Sequence, residues 1–252
     1  MKVAAIHTEK VFPNQKSIFE LLDESVDSLE DGSVLAITSK IVSLCEGRVV
    51  PLKGNDRDEL VKQESDLFLP RRFSKWNFEL TIIQRTMVMS AGIDHSNAGG
   101  DYYVLWPRDV QKSTEEIWKY LTKKYQLKNL GVILTDSIIT PLRWGTTGVA
   151  IAYCGFEPKN SYIGEPDVFG RKLEVSQSNI AGGLATSAVL CMGEGSEQTP
   201  MALITELPFV NFQNRTPNQQ ELDTYFVTEM KEDVFYPFLK GANWQKGRRK
   251  NQ

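Results

Sequence analysis

The sequence is poor in the residues that most often carry catalysis through sulfur or imidazole. It has three cysteines, Cys45, Cys154 and Cys191, an odd number scattered along the chain. No pair has zinc-type spacing and no disulfide framework is suggested, so all three read as small apolar residues. His7 and His95 are the only histidines and are not spaced as metal ligands. A Ser–His or Cys–His nucleophile therefore has little support. No run approaches the roughly 18 to 20 apolar residues needed to cross a bilayer. The Met1–His7 segment has too short an apolar core for a signal peptide, so the expected location is the cytoplasm, with no membrane partner. A net charge of −3 leaves no general electrostatic footprint for nucleic acid. The basic stretch Lys246-Gly247-Arg248-Arg249-Lys250 reads as a solvated terminus, with RNA or anion contact as the alternative. Neither G-x-x-x-x-G-K-[ST] nor a G-x-G-x-x-G after a strand occurs, which excludes an ordinary P-loop and a dinucleotide fingerprint.

What is present is an ordinary globular chain of 252 residues, 41% hydrophobic and 24% charged. That length suits one compact unit of two lobes sharing a core. Apolar runs predict strands at Val3–Ile6, Val34–Ile37, Phe78–Ile83, Thr86–Met89, Tyr102–Trp106, Leu130–Leu134, Gly148–Tyr153 and Met201–Ile204. Helical spacing predicts helices over Ser17–Leu29, Asp56–Asp66 and Asn179–Met192. Ser113-Thr114-Glu115-Glu116 reads as a capping box for a helix reaching Tyr125, and Glu221–Met230 as a C-terminal helix. Thr38-Ser39-Lys40 opens another helix through Leu44, and a helix start is a natural anion site. Strands and helices mix without a strand-helix-strand rhythm, so the expected class is α+β.

Four features can carry chemistry. In Gly92-Ile93-Asp94-His95-Ser96-Asn97, Asp94 offers a hard oxygen to a metal and Asn97 an amide to a base or phosphate; both side chains bonding their own backbone in an Asx-turn is the alternative. Thr135-Asp136-Ser137 ends an apolar strand, where Asp136 and the Ser137 hydroxyl suit Mg2+, or a cap; Arg143, before Trp144, suits a phosphoryl group or a carboxylate, or is a surface residue. Met192-Gly193-Glu194-Gly195-Ser196-Glu197-Gln198-Thr199 lets backbone N–H groups approach a phosphate and adds the Glu194 oxygens, or is a helix C-cap. Lys40, after Ser39, can hold a phosphate as a point charge, or lie exposed. The oxygen-rich set favours Mg2+ or Mn2+ over zinc.

Taken together in order, these segments resemble the coenzyme F-420-0:L-glutamate ligases, the CofE-like γ-glutamyl ligase family. The segments are Ile37–Ser43 with Glu46-Gly47-Arg48, Gly92–Asn97, Thr135–Ser137 through Pro141–Gly145, Val149–Ala152, Gly164, Asp167, Gly170–Leu173 and Met192–Glu194, spanning residues 1–207. The resemblance implies a two-lobed CofE-like α+β ligase fold with mixed, largely antiparallel sheets, a core at 1–207 and an extension at 208–252 with one helix and a basic tail. It implies a homodimer that joins L-glutamate to an acceptor carboxylate through an acyl phosphate, using GTP or ATP and two ions of Mg2+ or Mn2+. Asp94, Asp136, Ser137 and Glu194 would be metal ligands, with Glu194 where the family usually has Gln. Ser39, Lys40, Asn97, Met192, Gly193, Gly195, Ser196 and Thr199 would meet the nucleotide, and Lys40 and Arg143 would assist phosphoryl transfer. The family often has Lys where Leu44 stands, Gly-Arg-Pro near Ile138–Pro141, and Ala-Asp-Glu at Ala181-Gly182-Gly183. These departures turn the expected acceptor toward a folate-like or related pterin carboxylate, beside an F-420-0-like one. They leave two alternatives: a ligase for another amino acid or acceptor, and a nucleotide-binding regulator without catalysis.

Overall fold

The computed structural model describes residues 1–249; Lys250, the end of the basic tail, lies outside them. The first half of the chain forms β1 (Lys2–Ile6), α1 (Ile18–Ser25), β2 (Ser33–Thr38), α2 (Ser39–Cys45), β3 (Val49–Pro51), α3 (Arg57–Glu64) and β4 (Leu67–Leu69). There follow β5 (Leu80–Ile83), β6 (Thr86–Met89), β7 (Tyr102–Val104), α4 (Val110–Tyr125), β8 (Leu130–Ile139) and β9 (Thr146–Cys154). The second half adds β10 (Lys159–Ser161), β11 (Gln177–Asn179), α5 (Ile180–Met192), β12 (Met201–Thr205) and β13 (Gln245–Lys246).

The fold is α+β, as expected. Its centre is a five-stranded sheet ordered β1-β12-β2-β8-β9, in which β2 and β8 are parallel and the other pairs antiparallel. The central strands are apolar on both faces because both faces are covered. Leu35, Ile37, Val132 and Leu134 point to one core, shared with α1, α2 and α4. Val34, Ala36 and Ile133 point to a second core built on α5. A four-stranded antiparallel sheet, β13-β4-β5-β6, joins the first core through Ile83 and Val88. Two short pairs, β3-β7 and β10-β11, complete the topology.

Small residues let α5 lie close on the sheet. A Cβ at Gly148 would sit 2.5 Å from the Ala185 carbonyl oxygen and 2.7 Å from Val189. One irregularity matters for function. The β8–β9 register shifts between Leu134 and Thr135, where β9 carries the extra residue Ile151. A bulge of this kind bends the strand that carries it, here β9, and increases the local twist of the pair. The residues beyond it are Thr135, Asp136 and Ser137.

Several expected boundaries shift. Helix α4 begins at Val110, one turn before the expected capping box, because Asp109 caps it by accepting the Lys112 N–H at 2.9 Å. The Ser113 hydroxyl donates to Glu46 instead. Helix α1 ends at Ser25, and Val26 and Leu29 reach the core from irregular backbone. The extension holds several helical turns rather than one helix: Gln219–Glu221 runs into a π-turn at Leu222–Phe226, and a 3-10 turn follows at Met230–Glu232. The chain turns extended at the β-branched Val227, which stops the helix. The basic tail is not free in solvent: β13 pairs with β4, and Arg248 and Arg249 meet Glu59 and Asp66. Among the described residues no helix is long and apolar enough to cross a membrane.

Replacing Gly148 by Ala forces α5 away from β9. The expected loss is about 2 kcal/mol of stability, the usual scale of overpacking, read from urea unfolding. An unchanged midpoint would remove the close approach as a constraint on the fold.

Candidate active site

Four chain segments meet at one edge of the central sheet because of strand direction. Thr38 ends β2 beside Thr135 of the parallel β8, so Ser39-Lys40 and Asp136-Ser137 emerge together. Strand β12 runs the other way and starts there, with the Thr38 N–H donating to the Pro200 carbonyl at 2.9 Å. Strand β1 ends at the same edge, and the Thr8 N–H donates to the Gln198 carbonyl at 3.0 Å. Together with the Gly92–Gly99 loop they enclose a cavity of about 540 Å3, within the usual range for small-molecule sites.

Asp94 stands at the mouth of the loop. One oxygen accepts the His95 and Ser96 N–H groups at 2.6 and 3.0 Å, the Asx-turn considered from the sequence. The other accepts the Ser96 hydroxyl at 2.7 Å and the Lys40 ammonium at 2.6 Å. Lys40 also donates to the Ser96 carbonyl and hydroxyl at 3.1 and 3.2 Å. Burial opposes ionisation of Asp94, but Lys40 and the Ser96 hydrogen bonds outweigh it and hold the carboxyl well below its ordinary range.

Asp136 has the opposite balance. Burial pushes its carboxyl up to about 6, against the Ser137 N–H, the Trp106 indole and the Lys40 charge, all of which favour the anion. The Ser137 N–H donates to one oxygen at 2.7 Å and the Trp106 indole N–H to the other. Across the cavity the Ser137 hydroxyl donates to Glu194 at 2.7 Å, and the Thr146 hydroxyl donates to the same oxygen at 3.1 Å.

The loop after α5 is closed by the Thr199 hydroxyl, which donates to the Met192 carbonyl at 2.5 Å. Asn97 donates its amide to the Gly195 carbonyl at 2.9 Å and ties the two loops. The Gly195 N–H donates to the Glu197 carboxylate at 2.8 Å, so a backbone N–H of this turn binds a carboxylate oxygen.

Ser39, Lys40, Asp94, Asn97, Asp136, Ser137, Met192, Gly193, Glu194, Gly195, Ser196 and Thr199 all line this cavity. Arg143 does not: it lies exposed on the β8–β9 hairpin tip and donates to the Leu142 carbonyl at 2.9 Å. Leu44 lines the cavity but is only 2% exposed, so its departure from lysine puts an aliphatic wall there. Gly182 and Gly183 sit in the first turn of α5 and do not line the cavity; by helix rise they are roughly 10 Å from Val189, the first residue of the helix that does. Sequence reasoning missed Trp106, Thr146 and the N-terminal segment Thr8–Phe12, and it gave Glu197 no role of its own within the Met192–Thr199 loop. Trp106 reads as the apolar end of a strand, and only its lone N–H in a buried setting signals a polar duty.

The donor set is hard oxygen from three carboxylates and a hydroxyl, which fits Mg2+ or Mn2+. Five carboxylates line the cavity, Glu9, Asp94, Asp136, Glu194 and Glu197, against Lys10 and Lys40. Among the described residues no three His, Cys, Asp or Glu side chains stand close enough to hold one ion. Asp94 faces Lys40, while Glu194 faces Ser137 and Thr146.

A family model described as F420-0:Gamma-glutamyl ligase matches residues 6–206. The chain is 29% identical to the coenzyme F420:L-glutamate ligase of Methanocaldococcus jannaschii over 229 residues, 82% of this chain and 86% of the relative. It is 30% identical to the protein of the same name in Methanosarcina mazei over 226 residues, 83% of this chain and 88% of the relative. The likeness to the Methanopyrus kandleri ligase is 29% over 227 residues, 82% and 87% of the two chains.

Because the folded-state value of Asp136 is raised, the folded protein binds its proton more tightly than the unfolded chain does. Ionisation of Asp136 costs stability progressively as pH rises from about 4 to about 6, and the whole cost is present above that. In metal-free protein at pH 7.5, Asp136→Asn is therefore expected to gain about 1 to 2 kcal/mol in urea unfolding, and to gain nothing near pH 4. A variant equally or less stable than the parent at pH 7.5 would contradict the raised value.

Proposed function

The chain belongs to the F420-0:gamma-glutamyl ligase family and is an amino-acid ligase, and on that premise we propose that it spends a nucleoside triphosphate to join L-glutamate to an acceptor carboxylate. The carrying observation is the charge of the cavity. Five carboxylates face two lysines there, a lining that repels a polyphosphate unless divalent cations are bound with it. Asp94, Asp136, Ser137 and Glu194 are the residues proposed to hold two ions of Mg2+ or Mn2+, which neutralise charge on the phosphates. Phosphate binding falls to the Gly193–Ser196 turn, whose Gly195 N–H already holds a carboxylate oxygen, and to Ser39 and Lys40 at the start of α2. Asn97 and Thr199 fix the loops on either side.

The proposed reaction has two steps. An acceptor carboxylate oxygen attacks the γ-phosphorus, a new P–O bond forms, the β,γ-bridging P–O bond breaks and the nucleoside diphosphate leaves. The amine of glutamate then attacks the acyl carbon, the C–N bond forms, phosphate departs with the C–O bond electrons and the amine loses its proton. Lys40 carries the cationic role in this scheme, since Arg143 is outside the cavity lining. The apolar walls Val11, Phe12, Ile41 and Leu44 suit the flat part of a nucleotide or acceptor. The retained carboxylates favour catalysis over the reading of a regulator that only binds nucleotide. With GTP or ATP, Mg2+ or Mn2+, glutamate and a folate-like or F-420-0-like acceptor, nucleoside diphosphate and a one-glutamyl mass increase are expected together. Asp94→Asn is expected to lower the rate by at least about 100-fold; full turnover in that variant would sink the metal assignment, and a mass gain other than glutamyl would reject glutamate.

A homodimer is part of the same proposal. On the β8–β9 hairpin tip, Leu142 and Trp144 are 94% and 92% exposed. With Trp76, 64% exposed and its ring 6.2 Å from that of Trp144, they form an apolar patch of the kind that marks an interface, and a second copy of the chain is the occupant the family resemblance implies. Sedimentation velocity at micromolar concentration is expected to show a dimer that Leu142→Ser with Trp144→Ser shifts to monomer. A monomeric parent protein would reject it.

A further inference from the structure

We propose that Trp106 is a positioning residue that fixes the Asp136 carboxylate for metal binding, and that position 92 is glycine because the Trp106 indole fills the space of a side chain there. The inference rests on the metal reading above. Trp106 is only 3% exposed and lies among apolar core residues. Its single polar atom, the indole N–H, donates to Asp136 Oδ2. The Ser137 N–H takes the other oxygen, Oδ1, at 2.7 Å. With one bond on each oxygen the carboxylate cannot rotate freely, and each oxygen keeps a further lone pair for a cation.

Gly92 makes the indole's position available. A Cβ at Gly92 would stand 2.1 Å from Trp106 Nε1, 2.6 Å from Cδ1 and 2.7 Å from Cε2. No rotamer adjustment of a buried indole absorbs such overlap without moving the N–H off Asp136. Gly92 is also the last of three successive left-handed residues, with φ of 50° at Ser90, 54° at Ala91 and 69° at Gly92. That unusual turn is pinned from β5 and the residue before it. The Ser90 N–H donates to the Glu79 carbonyl at 2.7 Å, its hydroxyl to the Glu79 carboxylate at 2.9 Å, and the Ala91 N–H to the Thr81 hydroxyl at 2.8 Å. Glu79 is itself 3% exposed and accepts the Arg71 Nε–H at 2.9 Å. The Ile93 N–H closes the turn on the Ser90 carbonyl at 2.9 Å, and Asp94 follows. One clamped turn therefore places Asp94 directly and frees the space through which Trp106 reaches Asp136. Hydrogen-bond partners behind a ligating carboxylate orient it, and their loss typically weakens metal binding by about 10- to 100-fold.

The test is the Mn2+ dissociation constant of the full chain, from the electron paramagnetic resonance signal of free Mn2+, in variants shown to be folded by circular dichroism. Trp106→Phe keeps an aromatic ring in the core and removes the N–H; binding about 10-fold weaker is expected. Unchanged affinity in that folded variant overturns the positioning role. Gly92→Ala is expected to weaken Mn2+ binding in the parent background and to add little in Trp106→Leu, where the indole is gone and only the backbone preference of glycine remains. An equal effect in both backgrounds overturns the contact as the reason for glycine. Absence of Mn2+ binding to the parent chain is a different result: it removes the metal reading, and this inference with it.

Discussion

The parallel pairing of β2 with β8 is the constraint on which the site depends. It places Thr38 opposite Thr135, almost a hundred positions away in sequence, so Ser39-Lys40 after β2 lie beside Asp136-Ser137, where β8 runs on paired only with β9. The antiparallel neighbours then deliver the opposite ends of their strands to the same edge: Pro200 before β12 and His7-Thr8 after β1. Beyond a sheet's carboxyl edge the backbone no longer has ladder partners, and loops there supply the polar groups that ligands use. The bulge at Ile151 of β9 falls opposite the step from Leu134 to Thr135, so β8 and β9 change register just before Asp136.

The electrostatics follow from how each carboxylate is surrounded. Asp94 is partly buried, yet a lysine and two residues of its own turn serve its charge, and it stays ionised. Asp136 has only neutral hydrogen bonds in direct contact and is raised to about 6, with burial as the leading cause. One cavity thus holds a carboxylate paired with a cation and a second, buried carboxyl without one in direct contact. Under the proposed function a divalent ion at Asp136 would supply the charge that its neutral partners do not, a reason to keep a carboxylate where ionisation is costly. At Asp94 a proposed ion would have to compete with Lys40, whose ammonium already sits 2.6 Å from the carboxylate.

Much of this was legible in the sequence where short-range rules decide. The apolar runs at Val34–Ile37 and Leu130–Leu134 are strands because both faces are buried, and the helix expected over Asn179–Met192 is α5, with Asn179 as its cap, accepting the Gly182 N–H at 2.8 Å. The motifs at Asp94, Asp136 and Glu194 were visible as candidates, but local pattern left each in balance with a turn or cap. Asp94 is in fact both, an Asx-turn whose second oxygen faces the cavity. Long-range choices were not legible. Ser113 looked like a cap, yet it serves Glu46, because Asp109 one turn earlier fills the same chemical need. Trp106 looked like core and is core; its bond to Asp136 depends on the absence of a side chain at Gly92, fourteen residues before it. Arg143 is adjacent to the site in sequence, but the outward run of the hairpin carries it away.

The extension beyond the family match shows how a tail can matter to a site it does not touch. Its ion pair of Arg248 with Glu59 is solvent-facing and that of Arg249 with Asp66 is part-buried, and a solvent-facing pair contributes little by itself. The backbone bonds carry more weight. The Arg248 N–H donates to the Lys62 carbonyl at 2.6 Å, and the Gly247 N–H to the Asp66 carbonyl at 2.9 Å. Lys62 is in the last turn of α3, where carbonyls have no partner within the helix. Close approach is required for this, since a Cβ at Gly247 would lie 1.8 Å from the Ser65 carbonyl oxygen. Helix α3 in turn carries Arg57, which donates to the Ile93 carbonyl at 3.2 Å, and Asp58, which meets Arg71 beside Glu79. The segment read as a solvated basic terminus is thus a C-terminal cap on the helix that braces the turn before Asp94, and its composition obscures this because the contacts are made by backbone atoms that every sequence possesses.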